Sequence, residues 1–408
     1  MSSGDTLAWP AARAAAYTAG RAAMPDPVDV PLADADGLTL ASPLTTLTDL
    51  PAFPTSSVDG YATAGPGPWR VVGHVLAGSV PGPLGEGEAV EIATGAMVPL
   101  GTEQIIRVED ATLDDGRVSG VPRPLPEWRE PGDEATKGEE LLPAGAPVTP
   151  GVLGLAAACG YETLTVVPAV RVAVVVFGDE LLTDGVPGRG RVRDALGPQV
   201  PGWLRRLGAS PVAGYDPYGP VADTLDAHVS AIRAALDVAD LVCTTGGTMH
   251  GPVDHLHPAL AALGASYIAN TVAVRPGFPM LLASVPAADP ASGRPKFVAG
   301  LPGNPQSAIV ALVSLVEPLL RGLSGRAGPP LTQVTLGGQI PGRGEHTHLA
   351  LVRIEESGIA HPLHHSGSAM LRGLARADGF AVVEPGTEGR AGTHAALVPL
   401  PLPAGGRP

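Results

Sequence analysis

The hydrophobic pattern changes character twice along the chain. Between residues 69 and 122 the apolar positions fall in short runs, WRVVGHVLAG, EAVEIATGA, EQIIRVED and RVSGV, with turns every few residues. That spacing predicts a small all-β unit. From residue 170 near-continuous apolar runs alternate with helical periodicity. RVAVVVF at 171–177 has the composition of a strand buried on both faces. Residues 241–244, 271–274 and 296–299 predict further strands. Residues 199–207, 222–236 and 304–323 predict helices, the last with Pro305 at its start. The segment 170–325 therefore reads as a βαβ-type, mostly parallel α/β domain. Beyond the break at 328–330, residues 332–400 return to short strands and turns. Upstream, 11–23 predicts an Ala-rich helix and 28–48 short extended pieces. Residues 51–62, PAFPTSSVDGYA, predict a loop with little room for regular structure. The Pro-rich stretch 122–131 is a boundary, and 149–159 predicts a helix.

Two of the apolar strands run into glycine turns: DLVCTTGGTMHGPVD at 240–254 and VAGLPGNPQS at 298–307. In an open α/β sheet such turns lie together at the carboxyl ends of the strands, where ligands bind. Gly246, Gly247 and Gly303 let an anion approach the backbone closely, and Asn304 can cap the helix that follows. The same residues would also serve as plain strand-to-helix turns. Asp179 and Glu180 directly follow the 171–177 strand. They either hold a Mg²⁺ ion through waters, or cap a turn and face solvent. Asp240 is a surface residue at a strand start or a metal ligand. Asp59 reads as an Asp-Gly turn, and Arg275 offers a planar fork suited to oxyanions.

Composition narrows the class. With 408 residues the chain suits three or four domains. No continuous apolar run of about 18 residues predicts a membrane span, and the N-terminus lacks the pattern of a signal peptide. The cytoplasm is the expected compartment. A net charge of −14 argues against nucleic acid as a partner, though not against a small anion. Cys159 and Cys243 fall in apolar stretches and read as core residues. The eleven histidines form no metal spacing.

Taken in order, the motifs resemble the molybdopterin molybdenumtransferases, called MoeA in bacteria and matched by one domain of gephyrin. The carriers are the 51–62 loop, Thr94-Gly95-Ala96, the Arg129 and Gly132 segment and Gly178-Asp179-Glu180-Leu181. They continue through Asp240 with Gly246-Gly247, Arg275-Pro276-Gly277, Leu301 to Pro305, and Gly367-Ser368. The resemblance implies a multidomain α/β plus all-β fold, with a central, mostly parallel three-layer α/β domain of molybdopterin-binding type and flanking small β domains. The expected division is a discontinuous linking domain at 1–50 and 127–169, a small β domain at 51–126, the central domain at 170–326 and a C-terminal β domain at 327–408. The implied activity is insertion of molybdate into adenylylated molybdopterin with release of AMP, assisted by Mg²⁺. The implied assembly is a homodimer in which Asp59 reaches the partner's cleft, with the molybdopterin adenylyltransferase as upstream donor. Asp59, Asp179, Glu180 and Arg275 are then the catalytic candidates. Thr94, Arg129, Gly246, Gly247, Asp254, Gly303, Asn304 and Ser368 are the substrate-binding candidates, and Asp179, Glu180 and Asp240 the metal ligands. That adenylyltransferase is itself an alternative, but it resembles only the central domain.

The chain departs from the family pattern where the cleft is expected. Phe177 stands for a threonine, Leu196 for an asparagine, Met249 for a serine and Pro252 for an aspartate. Arg275 and Phe278 stand where the pattern has two lysines, and Pro54 and Glu103 each replace an aspartate. These changes imply either a retuned site or a weakly active or non-catalytic paralogue that binds the pterin or a partner protein.

Overall fold

The computed structural model describes residues 6–212, 220–249, 254–287 and 293–402. Their contacts divide the chain into two units. One comprises Met1–Val28, Gly37–Thr39 and Val167–Pro408; the other comprises Asp29–Asp36 and Leu40–Val166.

In the first unit, Arg171–Val176 lies parallel to Leu241–Thr245, which lies parallel to Lys296–Leu301. All three are buried over nearly their whole length, which explains their unbroken apolar composition. Leu281–Val285 and Ser266–Ala269 extend the sheet as an antiparallel edge, and Ser210–Pro211 closes the other side. Helices Leu196–Arg206, Leu225–Val238 and Leu256–Ala262 connect the strands. Two apolar clusters, on Val172, Val174 and Val176 and on Ala173, Val175 and Phe177, come from alternate residues of one strand and form the core on each face of the sheet.

The strand at 272–275 corrects an expectation. Val272–Arg275 belongs not to the central sheet but to a seven-stranded one, between Leu7–Ala8 and Thr347–Ile354. Its alternating burial, with Val272 and Val274 inward and Arg275 outward, is the signature of a strand with two unlike faces. It ties the α/β layer to the C-terminal strands.

Residues 305–323 form one long helical run, Pro305–Ala311, a π-helical turn at Leu312–Val316 and Glu317–Leu323. It is long and apolar enough to cross a membrane by composition, yet 89% of its most apolar window is buried within the protein, so it is a core helix. The N-terminal helix Trp9–Ala22 packs on it. At the π turn, Trp9 Nε1 donates to Ser314 Oγ at 2.8 Å and Arg13 donates to the Val313 carbonyl. Gly20 and Gly322 let the two backbones meet, because a Cβ on either would strike main-chain atoms of the other helix.

In the second unit a six-stranded sheet has the order Ala111–Asp114, Arg117–Gly120, Trp69–Val75, Glu88–Ile92, Gly60–Thr63 and Gln104–Arg107. The 51–62 segment is more regular than expected. Thr55–Ser56 pairs with Trp128–Arg129, and Gly60–Thr63 sits between two neighbours in the sheet.

Candidate functional site

The two glycine turns emerge side by side, since Thr245 pairs with Leu301 at the carboxyl edge of the central sheet. Gly246 and Gly247 take consecutive positive φ values of 85° and 65°, a conformation that favours glycine. The Gly246 N–H donates to the Leu301 carbonyl at 3.0 Å, and a Cβ on Gly303 would lie 3.8 Å from Gly246 Cα. The turns thus form one continuous backbone surface.

A cavity of about 1110 Å³ opens beside them. Gly303, Asn304, Met249 and Thr248 form one wall, and Arg275 to Pro279 another. Ser368, Arg343, His346 and His348 contribute from the C-terminal strands and loops. Of the expected site residues, Arg275, Gly303, Asn304 and Ser368 therefore share one chamber. Gly246 and Gly247 lie next to it through Gly303 rather than in its lining. Asp254 is half-buried just before the Leu256–Ala262 helix. Pro252 lies outside the described residues.

The expected cap by Asn304 is not made: its side chain gives no capping bond. The Ser368 carbonyl instead accepts from the backbone N–H of Gln306 at 2.9 Å and of Ser307 at 3.4 Å. These two donors at the helix start are therefore engaged by the chain itself, and an anion in the chamber depends more on side chains. Arg275 is exposed at the cavity, with its guanidinium 5.0 Å from the centre of the Phe278 ring. The His346 ring meets Phe278 edge-on at 5.5 Å. His348 Nδ1 is 2.8 Å from the Pro341 carbonyl; burial, with a smaller push from Arg343, lowers its pKa and favours the neutral ring. Sequence reasoning missed Arg343, His346 and His348. Arg343 and His346 lie outside any periodic segment, and His348 sits in Thr347–Ile354, whose first six residues are all buried, so nothing in that sequence says which cavity the strand end faces.

Asp179 and Glu180 follow the buried strand at the same edge of the sheet, both exposed. Asp179 and Asp223 bond each other's backbone: the Asp179 N–H donates to Asp223 Oδ2 at 3.2 Å, and the Asp223 N–H to Asp179 Oδ1 at 3.4 Å. Asp223 is a neighbour the sequence did not mark. Asp240 is a correction. It precedes Leu241–Thr245, so it lies at the amino edge, five strand residues away from the glycine turn and far from Asp179. There it accepts from the Arg171 N–H at 2.9 Å and pairs with Arg171 and Arg294. With those partners it is a structural anchor, not a ligand beside Asp179. Among the described residues no three His, Cys, Asp or Glu side chains converge as a metal cage. Mg²⁺ does not require one, since it keeps waters and is held by one or two carboxylates plus phosphate oxygens. Asp179 with Glu180 or Asp223 fits that kind of site.

In the second unit, Asp59 and Thr94 come together. Asp59 Oδ1 accepts from the Thr94 backbone N–H at 2.7 Å and from its hydroxyl at 3.0 Å. The backbone bond first, and the hydroxyl second, hold the Asp59 carboxyl below its ordinary range and keep it anionic. Asp59 lines a second cavity of about 450 Å³ with His74 and Glu91. Arg129 is exposed on Trp128–Arg129, opposite Thr55.

Three family models match successive parts of the chain: the MoeA N-terminal region (domain I and II) over residues 9–160, a probable molybdopterin binding domain over 173–322, and the MoeA C-terminal region (domain IV) over 333–400. The chain is 31% identical over 399 residues to molybdopterin molybdenumtransferase 2 of Mycobacterium tuberculosis (strain CDC 1551 / Oshkosh), covering 90% of this chain and 94% of that protein. It is 30% identical over 373 residues to the molybdopterin molybdenumtransferase of Bacillus subtilis (strain 168), covering 86% and 84%. A solved molybdopterin biosynthesis MoeA protein from Pyrococcus horikoshii matches with a TM-score of 0.77 at 25% identity, over 97% of this chain and 99% of that one. The chain thus belongs to the molybdopterin molybdenumtransferase family.

Proposed function

We propose that this chain inserts molybdate into adenylylated molybdopterin and releases AMP. The observation that carries the reading is the chamber itself. It sets the Gly303-Asn304 turn, Arg275 and Ser368 around one space large enough for a substrate, next to the Gly246-Gly247 turn. Arg275 and Arg343 would neutralise the oxyanion, and the glycine turns would let phosphate or pterin lie against the backbone. Ser368 would orient the oxyanion, and Asp254 would support the turn on its helix side. Asp179 and Glu180 would hold Mg²⁺, which would supply positive charge to offset the negative charge building on the phosphates as water cleaves the phosphoanhydride joining AMP to the pterin phosphate. Asp59, kept anionic by Thr94, would act with Arg129 on substrate presented by a homodimer, fed by the adenylyltransferase upstream. The alternative, a weakly active or non-catalytic paralogue, turns on the departures at Phe177, Met249, Pro252 and Phe278. Introducing the gene into a strain that lacks this transferase tests the reading. Restored molybdoenzyme activity, lost again with Arg275→Ala, is the expected result. A soluble, folded protein that restores nothing would support the paralogue.

A further inference from the structure

A phenylalanine where the family pattern has a lysine looks like a lost cation, yet the ring has charged and polar company. Arg275 lies over Phe278 at 5.0 Å, and His346 meets the same ring at 5.5 Å with a 69° interplanar angle. All three face the same chamber as Arg343. A guanidinium over an aromatic face is drawn to the ring quadrupole and keeps its N–H edges free for an oxyanion. Arg275 is otherwise an exposed side chain at a strand end, with several rotatable bonds and no ion pair among the described residues. Without the ring it would sample many orientations. With the helix-start donors taken by Ser368, orientation of this arginine decides how well an anion is met.

We propose that Phe278 is a positioning residue: its ring fixes Arg275 on one side and His346 on another, so that together with Arg343 they form the oxyanion-binding wall. This rests on the oxyanion reading of the chamber. A lysine at 278 would remove the ring and place a second positive charge beside Arg275, so restoring the family residue would not help.

Titration calorimetry with sodium molybdate, at fixed pH and ionic strength, tests the proposal on the full-length protein. Phe278→Leu should weaken binding about two- to fivefold. Phe278→Tyr, which keeps the ring, should bind as wild type, and Phe278→Lys should show no gain. In an Arg275→Ala background, Phe278→Leu should cost less than it does alone, because the stack is already gone. Equal losses in both backgrounds would mark Phe278 as merely structural and overturn the proposal. So would unchanged binding by Phe278→Leu, or tighter binding by Phe278→Lys. If Arg275→Ala itself binds molybdate like wild type, the oxyanion reading of the chamber fails, and this inference with it. Weak binding by Arg275→Ala with no effect of Phe278→Leu would overturn this inference alone.

Discussion

Phe177, Leu196, Met249 and Phe278 all depart from the family pattern, and burial sorts them. Phe177 is 4% exposed and stacks on His228 with ring centres 3.7 Å apart, while Leu196 is 5% exposed and begins a helix whose first N–H groups are capped by Asp194. Both side chains lie in the core, Leu196 in the cluster on one face of the sheet and Phe177 in the cluster on the other. Met249 and Phe278 reach the chamber and change its chemistry. The two cysteines behave as their sequence context implies: both are fully buried, and burial pushes the Cys243 thiol up to about 12 and raises Cys159 as well. A thiol reagent at neutral pH should therefore leave the native protein unmodified and label two thiols after denaturation, since only the thiolate reacts. Rapid labelling of either cysteine in the native state would contradict the burial.

At the scale of elements, the contact between Trp9–Ala22 and Glu317–Leu323 depends on two glycines. Gly20→Ala or Gly322→Ala would drive a methyl into the opposing backbone, which cannot move as a side chain can. Each should destabilise by at least about 1–3 kcal/mol in urea unfolding. A stability equal to wild type would mean that the helices can part without loss. Long periodic or fully buried elements were legible in the sequence. The 171–177 strand, the helix after Asn304 and the paired glycine turns lie where apolar run and punctuation place them. What escaped was set by distant partners. The 271–274 run was read as a strand, but only pairing with Leu7–Ala8 and Thr347–Ile354 decides which sheet it joins. Asn304 has the right chemistry to cap, yet a carbonyl more than 60 residues away reaches the donors first. Arg343 and His346 carry no motif, and only the fold brings them to Phe278. For Asp240 the sequence leaves a surface residue at a strand start and a metal ligand both open; parallel pairing puts it at the end of the sheet opposite Asp179, where it pairs with Arg171 and Arg294.

For the whole molecule, buried histidines give stability a direction with pH. His228 is fully buried, with Nδ1 2.9 Å from the Thr224 carbonyl, and burial lowers its pKa; burial lowers that of His348 too. As pH falls through the ordinary histidine value near 6.5, the unfolded chain binds protons that these folded rings resist. Their contribution is thus fully present above that range and declines as pH drops through it. Burial raises Glu317, which works in the opposite sense but closer to the carboxylate range. Urea midpoints should be lower at pH 5.5 than at pH 7.5, and His228→Gln should flatten the slope. Equal midpoints in the wild type would show that the rings take up protons without cost.

The proposed chemistry is tested most directly by AMP release from adenylylated molybdopterin incubated with the purified protein, molybdate and Mg²⁺. A chamber that holds the pterin nucleotide beside an arginine-bound oxyanion predicts AMP release that requires both molybdate and Mg²⁺ and falls sharply with Arg275→Ala. Tight binding of the adenylylated pterin with no AMP released under any combination of molybdate and Mg²⁺ would contradict it, and would leave a protein that binds the pterin without transferring the metal.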